Sequence, residues 1–341
     1  MVLGAGLVGI SAALRLKERH PSWSIVVLDR SSLGGSSKRN AGFACFGSPS
    51  ELLDDWQTLG PEATVNLVQM RWDGLLALRA AWGDAALGYR SCGAVEAFTD
   101  PSLLESCRAM LPELNDALEG IVGGTAFHHS HSVAGMRGLA GAIHSPFEGD
   151  LDTARLGHVL NRALHDASIP SLIGLDVEHL EPRGDGWDVF TNHGVVHTPR
   201  VLVATNAWAG ELLEVDVKPA PNHVVVSQPL PGLSLKHTVH HDQGYVYARE
   251  VDGRILIGGG RHWACESEAE RLDRLVEWAQ THIDGAQGME IAHHWVGQLG
   301  IGKVREPVVK QIAPGLYAGV RLGGMGVAIG TLTGRKLADL V

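Results

Sequence analysis

Residues 1–29, MVLGAGLVGISAALRLKERHPSWSIVVLD, decide the fold. Val2-Leu3 reads as the end of a buried strand, Gly4-Ala5-Gly6-Leu7-Val8-Gly9 as a turn, and Ile10 to Arg19 as a helix. In a GxGxxG turn the first glycine permits the sharp bend and the second lets the backbone approach a pyrophosphate. The third lets helix and strand pack closely. The free N–H groups of the helix start then face the phosphates. Ala12, Ala13 and Leu16 recur at helical spacing on the face toward the sheet. Pro21-Ser22 breaks the helix, and Ser24 to Leu28 reads as a second buried strand ending in Asp29. An acid at that distance from the turn is placed to accept hydrogen bonds from ribose hydroxyls. Only Met1, Val2 and Leu3 precede Gly4, fewer than the about five residues of a parallel strand. The expectation is a true start upstream of Met1; the alternative is a stub strand.

A secretory leader competes for the same stretch and fails. No Lys or Arg precedes the apolar run, Gly4, Gly6 and Gly9 interrupt it, and Arg15, Lys17, Glu18 and Arg19 continue the helical pattern without a cleavage site. No apolar run is long enough to span a bilayer. With 341 residues, 45% apolar and 19% charged, the composition is that of an ordinary globular chain of about two domains. A net charge of −10 argues against a nucleic-acid or anionic-membrane partner. Cys45, Cys92, Cys107 and Cys265 lie far apart with no CxxC spacing, which fits a reducing cytoplasm. The histidine clusters His128-His129-Ser130-His131, His240-His241 and His293-His294 lack HExxH spacing, and neighbours on a strand point to opposite faces. No metal is predicted.

After Asp29 comes RSSLGGSSKRNAGFACFGSPSELLDD, residues 30–55. Here Gly34-Gly35-Ser36-Ser37 and Asn40-Ala41-Gly42 resemble the D-amino acid oxidase-like (DAO) family of FAD-dependent oxidoreductases, which includes glycine, sarcosine and D-amino acid oxidases and dehydrogenases. Backbone N–H groups and small hydroxyls suit a phosphate and a flat ring. The resemblance extends through GDLDTARL (149–156), with Asp152 a helix cap, through Val177 near the adenine, and through ATNAW (204–208). It ends at RLGGMGVAIG (321–330), a glycine turn opening the last helix. A helix start beside the ring stabilises an anionic reduced flavin. Two glycine turns aimed at one extended cofactor separate FAD from NAD. The resemblance implies cofactor contacts from Gly4, Ala5, Gly6, Leu7, Val8, Gly9, Asp29, Arg30, Gly35, Ser36, Ser37, Asn40, Ala41, Gly42 and Phe43. It implies further contacts from Val177, Ala204, Thr205, Asn206, Trp208, Arg321, Gly323, Gly324, Met325, Gly326 and Val327.

The fold class expected is α/β, with an α+β substrate part: a Rossmann-like FAD-binding domain (1–47, 145–218, 299–341) interleaved with a substrate domain (48–144, 219–298) on an antiparallel-rich sheet. The first insertion reads as largely helical. Ser48-Pro49-Ser50-Glu51 has the form of a capping box, and Val65, Val68, Trp72, Leu75 and Leu76 form a core stripe. The second reads as short strands, including Val224-Val225-Val226 and Arg254–Gly258, interrupted by a helix over 268–283.

In GYVYARE, Tyr245, Tyr247 and Arg249 share one strand face. Two phenols and a guanidinium suit a carboxylate ligand, though an arginine there also serves as a salt-bridge partner on a sheet. The family uses a second arginine near its last turn, the role expected of Arg321; Arg261 is a third candidate, and Trp295 a pocket wall. Some sarcosine oxidases attach flavin through a cysteine; residues 299–309, LGIGKVREPVV, have none, so FAD is expected to be noncovalent and Cys45 a core thiol. Lys303 could promote reaction with oxygen. The implied function is oxidation of an amine or amino acid (D-amino acid, glycine or sarcosine type) by hydride transfer to flavin N5, giving an imine that water hydrolyses, with no general base assigned. The electron acceptor is oxygen or a partner such as a quinone. A dehydrogenase would allow peripheral membrane association of a cytoplasmic enzyme. The alternatives are an NAD-dependent dehydrogenase and a non-catalytic flavin-binding subunit.

Overall fold

Val2 and Leu3 stand at the middle of a six-stranded sheet in the computed structural model, which describes residues 1–31 and 35–341. The strand order is Val308–Ala313, Leu316–Val320, Val201–Val203, Val2–Leu3, Val27–Asp29 and Ser171–Ile173. Val2 and Leu3 pair in parallel with Val27-Leu28 on one side and Leu202-Val203 on the other. Only Val308–Ala313, at the edge, runs antiparallel to its neighbour. Strands covered on both faces are apolar throughout rather than alternating, as Val201-Leu202-Val203 are, each almost wholly buried.

The first helix is Leu7–Arg19, beginning inside the glycine turn. It lies against the last helix, Gly326–Asp339, in one apolar cluster with the sheet. The two approach so closely that a Cβ on Gly334 would overlap the Val8 carbonyl oxygen. Arg19 Nη1 reaches across to the Ala338 carbonyl at 2.9 Å.

A second sheet has eight strands in the order Ile291–Ile301, Lys218–Ser227, Arg254–Gly259, Val246–Val251, Thr238–His241, Ala94–Phe98, Gly141–Ser145 and His128–Ser130. Its pairings are antiparallel except that of Thr238–His241 with Ala94–Phe98. The helix Glu268–His282 packs on one face of it, burying Leu275 and Ala279. The helices Pro49–Thr58, Pro61–Trp82 and Pro101–Val122 gather around Phe46, Leu52 and Leu114. The mixed α/β architecture is the one expected.

Three details differ from the sequence reading. Ser48 does occupy the N-cap of Pro49–Thr58, but its side chain makes no cap hydrogen bond. Glu51 instead joins Arg71 and Arg305, each at 3.0 Å; charge pairing beats a reach back to the helix start. In the helical stripe Val68 and Leu75 are buried, while Leu76 is 44% exposed. An unforeseen antiparallel sheet is formed by Val177–Arg183, Gly186–Thr191 and Gly194–Thr198, whose two outer strands are mostly exposed.

Candidate active site

Gly4 bends with φ +107°, leaving the strand beside the Ala204 carbonyl. Gly9, one turn into the helix, faces the Gly4 carbonyl oxygen with no room for a Cβ. Between them the Leu7 N–H, unpaired within the helix at this end, donates to Ser37 Oγ at 2.8 Å. Asp29 at the end of its strand accepts from the Ala5 N–H and the Ser31 N–H, both at 2.7 Å. Arg30 lies over the Trp208 ring at 4.2 Å.

The chain's far end closes on the same place. Asn206, in the left-handed region (φ +46°) that asparagine tolerates better than most residues, accepts from the Leu322 N–H through Oδ1 at 3.0 Å. The Gly323 N–H donates to the Gly300 carbonyl at 3.0 Å. ATNAW thus holds the last glycine turn.

These parts enclose two adjoining cavities. The first is lined by Gly4, Gly6, Leu7, Val8, Asp29, Arg30, Gly35, Ser36, Ser37, Asn40, Val177, Ala204, Thr205, Asn206, Trp208, Gly323, Gly324, Gly326 and Val327. The first and last turns of the chain therefore share one crevice. Ala41, Phe43, Met325 and Arg321 line the second cavity. Ala5, Gly9 and Gly42 stand behind the walls: Ala5 anchors Asp29, and Gly42 (φ +80°) sits where a Cβ would press on the Leu151 carbonyl and Arg249. Gly34 falls outside the described residues. Ser36, Asn40, Leu299, Leu322, Gly323, Gly324 and Val327 border both cavities, so one long molecule can run from Asp29 into the second chamber. A backbone cradle without Cβ atoms, a helix start and a terminal carboxylate are the donor set a dinucleotide needs. The residues present fit FAD.

The second cavity, about 440 Å³, is lined by Tyr245, Tyr247, Cys45, His240 and Asn222, with Glu51 and the cations Arg39, Arg71, Arg261, Lys303, Arg305 and Arg321. Arg249 is not among its walls. That guanidinium, 6% exposed, donates to the Ala41 carbonyl at 2.6 Å and the Leu151 carbonyl at 3.2 Å, and pairs with Asp150 at 3.2 Å. It shares a strand face with the tyrosines, yet the loops 41–42 and 150–151 cover that end of the face. Arg321 does line the cavity, but it donates to the Glu306 carbonyl at 2.8 Å and pairs with Asp216 at 3.2 Å. Trp295 donates its indole N–H to the Arg39 carbonyl at 2.8 Å and buttresses the loop instead of lining the chamber.

Several groups escaped the sequence reading. Asn222 Nδ2 donates to the Tyr247 hydroxyl at 2.6 Å, and burial pushes that phenol above its ordinary value. His240 lies 3.6 Å from Glu148 and beside Cys45. Burial opposes its charge, but Cys45 and Glu148 outweigh burial and hold the imidazole well above its usual pKa. Burial pushes the Cys45 thiol up. Glu148 itself accepts the Phe46 and Gly47 N–H groups at 2.7 and 3.2 Å. Outside the chamber, His223 and His294 meet across two strands at 3.2 Å, with Glu268 3.7 Å from His223. Adjacency in sequence does not reveal that grouping of ligand-type side chains.

The comparisons agree with this geometry. The family model described as "FAD dependent oxidoreductase" matches residues 1–340. The gamma-glutamylputrescine oxidoreductase of Escherichia coli (strain K12) is 26% identical over 368 residues, covering 100% of this chain and 82% of that protein. The crystal structure of glycine oxidase from Geobacillus kaustophilus superposes with a TM-score of 0.77 at 21% identity, over 99% of this chain and 93% of that one. Iminodiacetate oxidase from Chelativorans sp. BNC1 gives a TM-score of 0.77 at 21% identity, over 99% and 94%.

Proposed function

Since the chain belongs to the FAD-dependent oxidoreductase family, we infer that it oxidises an amine or amino acid in the second cavity, with FAD held along the first. The continuity of the two cavities, sealed by the first and last glycine turns, carries this reading. The relatives named for a glutamylated amine, glycine and iminodiacetate support the substrate class. An NAD-dependent dehydrogenase is set aside by the family match.

When bound, FAD supplies the two-electron oxidation of the substrate's C–N bond. The chain's own residues bind, orient and shield. The helix start at Leu7, Ser37 and the turn Gly4–Gly9 would hold the pyrophosphate, Asp29 the ribose, and Leu322–Val327 the ring side. Binding is noncovalent, with no cysteine in residues 299–309. Tyr247, fixed by Asn222, and Tyr245 would orient the substrate, and Arg249 would fix the loop Asn40–Phe43 under the ring. Arg321, paired with Asp216, would brace the ring turn, and the helix start at Gly326 would supply the positive potential that favours an anionic reduced flavin. The division into cofactor-binding segments (1–47, 145–218, 299–341) and substrate segments (48–144, 219–298) belongs to the same proposal, although the strand Ile291–Ile301 straddles the last boundary. So do a cytoplasmic setting and oxygen or a quinone as electron acceptor.

Anaerobic mixing of the yellow holoprotein with glycine, sarcosine, D-amino acids and polyamines tests the reading. At least one amine is expected to bleach the flavin. A protein that carries FAD but is reduced by none of them is a binding subunit instead.

A further inference from the structure

Five of the six cations lining the substrate chamber fall into two groups; the sixth, Arg39, is half-buried, and among the described residues no carboxylate lies within 4 Å of it. Arg71, Arg305 and Arg321 already have carboxylates: Glu51 at 3.0 Å for Arg71, Glu51 and Asp54 at 3.0 and 2.8 Å for Arg305, Asp216 at 3.2 Å for Arg321. A guanidinium so paired grips a substrate carboxylate only by abandoning its partner, which leaves a desolvated charge behind. Arg321 adjoins Leu322-Gly323-Gly324 and Arg39 adjoins Asn40, and both stretches are common to the two cavities. Of the two cations beside the ring only Arg321 is committed to a carboxylate, so glycine gripped by Arg39 is the competing occupant.

The second group is free. Among the described residues no carboxylate lies within 4 Å of the Arg261 guanidinium or the Lys303 ammonium. Arg261 is parked over the Tyr245 ring at 4.4 Å, and both residues are exposed. Both line the chamber, so they stand at its solvent end. Two unmatched cations on a chain of net charge −10 focus an anion at that rim. A chamber of about 440 Å³ also has the scale of a ligand larger than glycine.

We propose that the substrate carries an acidic group several atoms from its reacting amine, held at the rim by Arg261 and Lys303 while the amine lies against the ring. This rests on the amine-oxidation reading above and narrows it to ω-amino acids and amines with a distal acid.

The test compares glycine, hexylamine, 4-aminobutyrate and 6-aminohexanoate in anaerobic flavin reduction by holoprotein, reading half-saturation separately from limiting rate. The ω-amino acids are expected to half-saturate about threefold below hexylamine and glycine, the scale of a solvent-screened ion pair. In Arg261→Glu and Lys303→Glu that ratio collapses toward one; a merely structural role would move acid and hexylamine alike and leave the ratio intact. A preference for glycine, or a ratio untouched by both substitutions, overturns the proposal. If no amine reduces the flavin, the amine reading falls by itself. Calorimetric titration of 6-aminohexanoate into the same holoproteins then decides the rim: binding weakened in the two variants sustains it, and no binding to the parent protein refutes it.

Discussion

Replacing Arg249 by methionine separates two roles that the sequence leaves open, a carboxylate grip and a structural tie. The guanidinium donates to the Ala41 and Leu151 carbonyls and pairs with Asp150. Hydrogen bonds to a charged group contribute about 1.5–3 kcal/mol each, and removing one partner of a buried ion pair costs about 3–5 kcal/mol. Asp150 keeps Arg90, bonded through both carboxylate oxygens at 2.8 and 2.6 Å, which argues for the lower end, about 3 kcal/mol. With an unfolding entropy of about 2.1 cal/mol/K per residue, 341 residues give about 0.7 kcal/mol/K, so Tm should fall by about 4 °C. Ala41 and Phe43 line the chamber. If half the loss falls on their loop, FAD release rises about tenfold. Circular dichroism melts of the apoprotein and flavin fluorescence on dilution of the holoprotein measure the two effects. An unchanged Tm and unchanged FAD retention, with weaker binding of a carboxylate ligand alone, would show that Arg249 faces substrate and refute the structural argument.

Two further outcomes are expected. Gly9→Ala places a Cβ against the Gly4 carbonyl, so the turn must open; the variant should purify without flavin colour, and normal FAD content would contradict the close-packing argument. His240, raised above its unfolded value by Cys45 and Glu148 against burial, contributes stability that is complete below about pH 6.5 and lost as pH rises through its folded pKa. The denaturant midpoint of the parent minus that of His240→Gln should therefore be largest near pH 6 and shrink toward pH 9, whereas a pH-independent difference would remove charge from the explanation.

The crevice shared by the first and last turns was legible because its signals are local. The first and last glycine turns take their shape from short segments, and the acid Asp29 follows its strand directly, so each is encoded locally. What escaped depends on partners far away in the chain. Strand alternation correctly put Arg249 on the face of Tyr245 and Tyr247, but the loops capping that end come from 98 and 208 positions away. Glu51 reads as a capping-box acid until Arg305 arrives from beyond the second insertion. The outer strand 177–183, VEHLEPR, of the small sheet is polar and mostly exposed, so apolar periodicity had little to report there. Val2-Leu3 manages as two residues because both neighbours pair with it: the Leu202 N–H donates to the Met1 carbonyl on one side, and the Val2 N–H donates to the Val26 carbonyl on the other.

The knitting of the first helix to the last has a consequence for biosynthesis. Arg19 must wait 319 residues for the Ala338 carbonyl, which at about 5–20 residues per second is roughly 15–65 s of translation. Throughout that interval the nascent chain presents its glycine-turn helix without the wall it will share with the cofactor. Premature termination ahead of Gly326 therefore forfeits a side of the crevice rather than a dispensable tail, and the crevice closes only once the helix Gly326–Asp339 has been made.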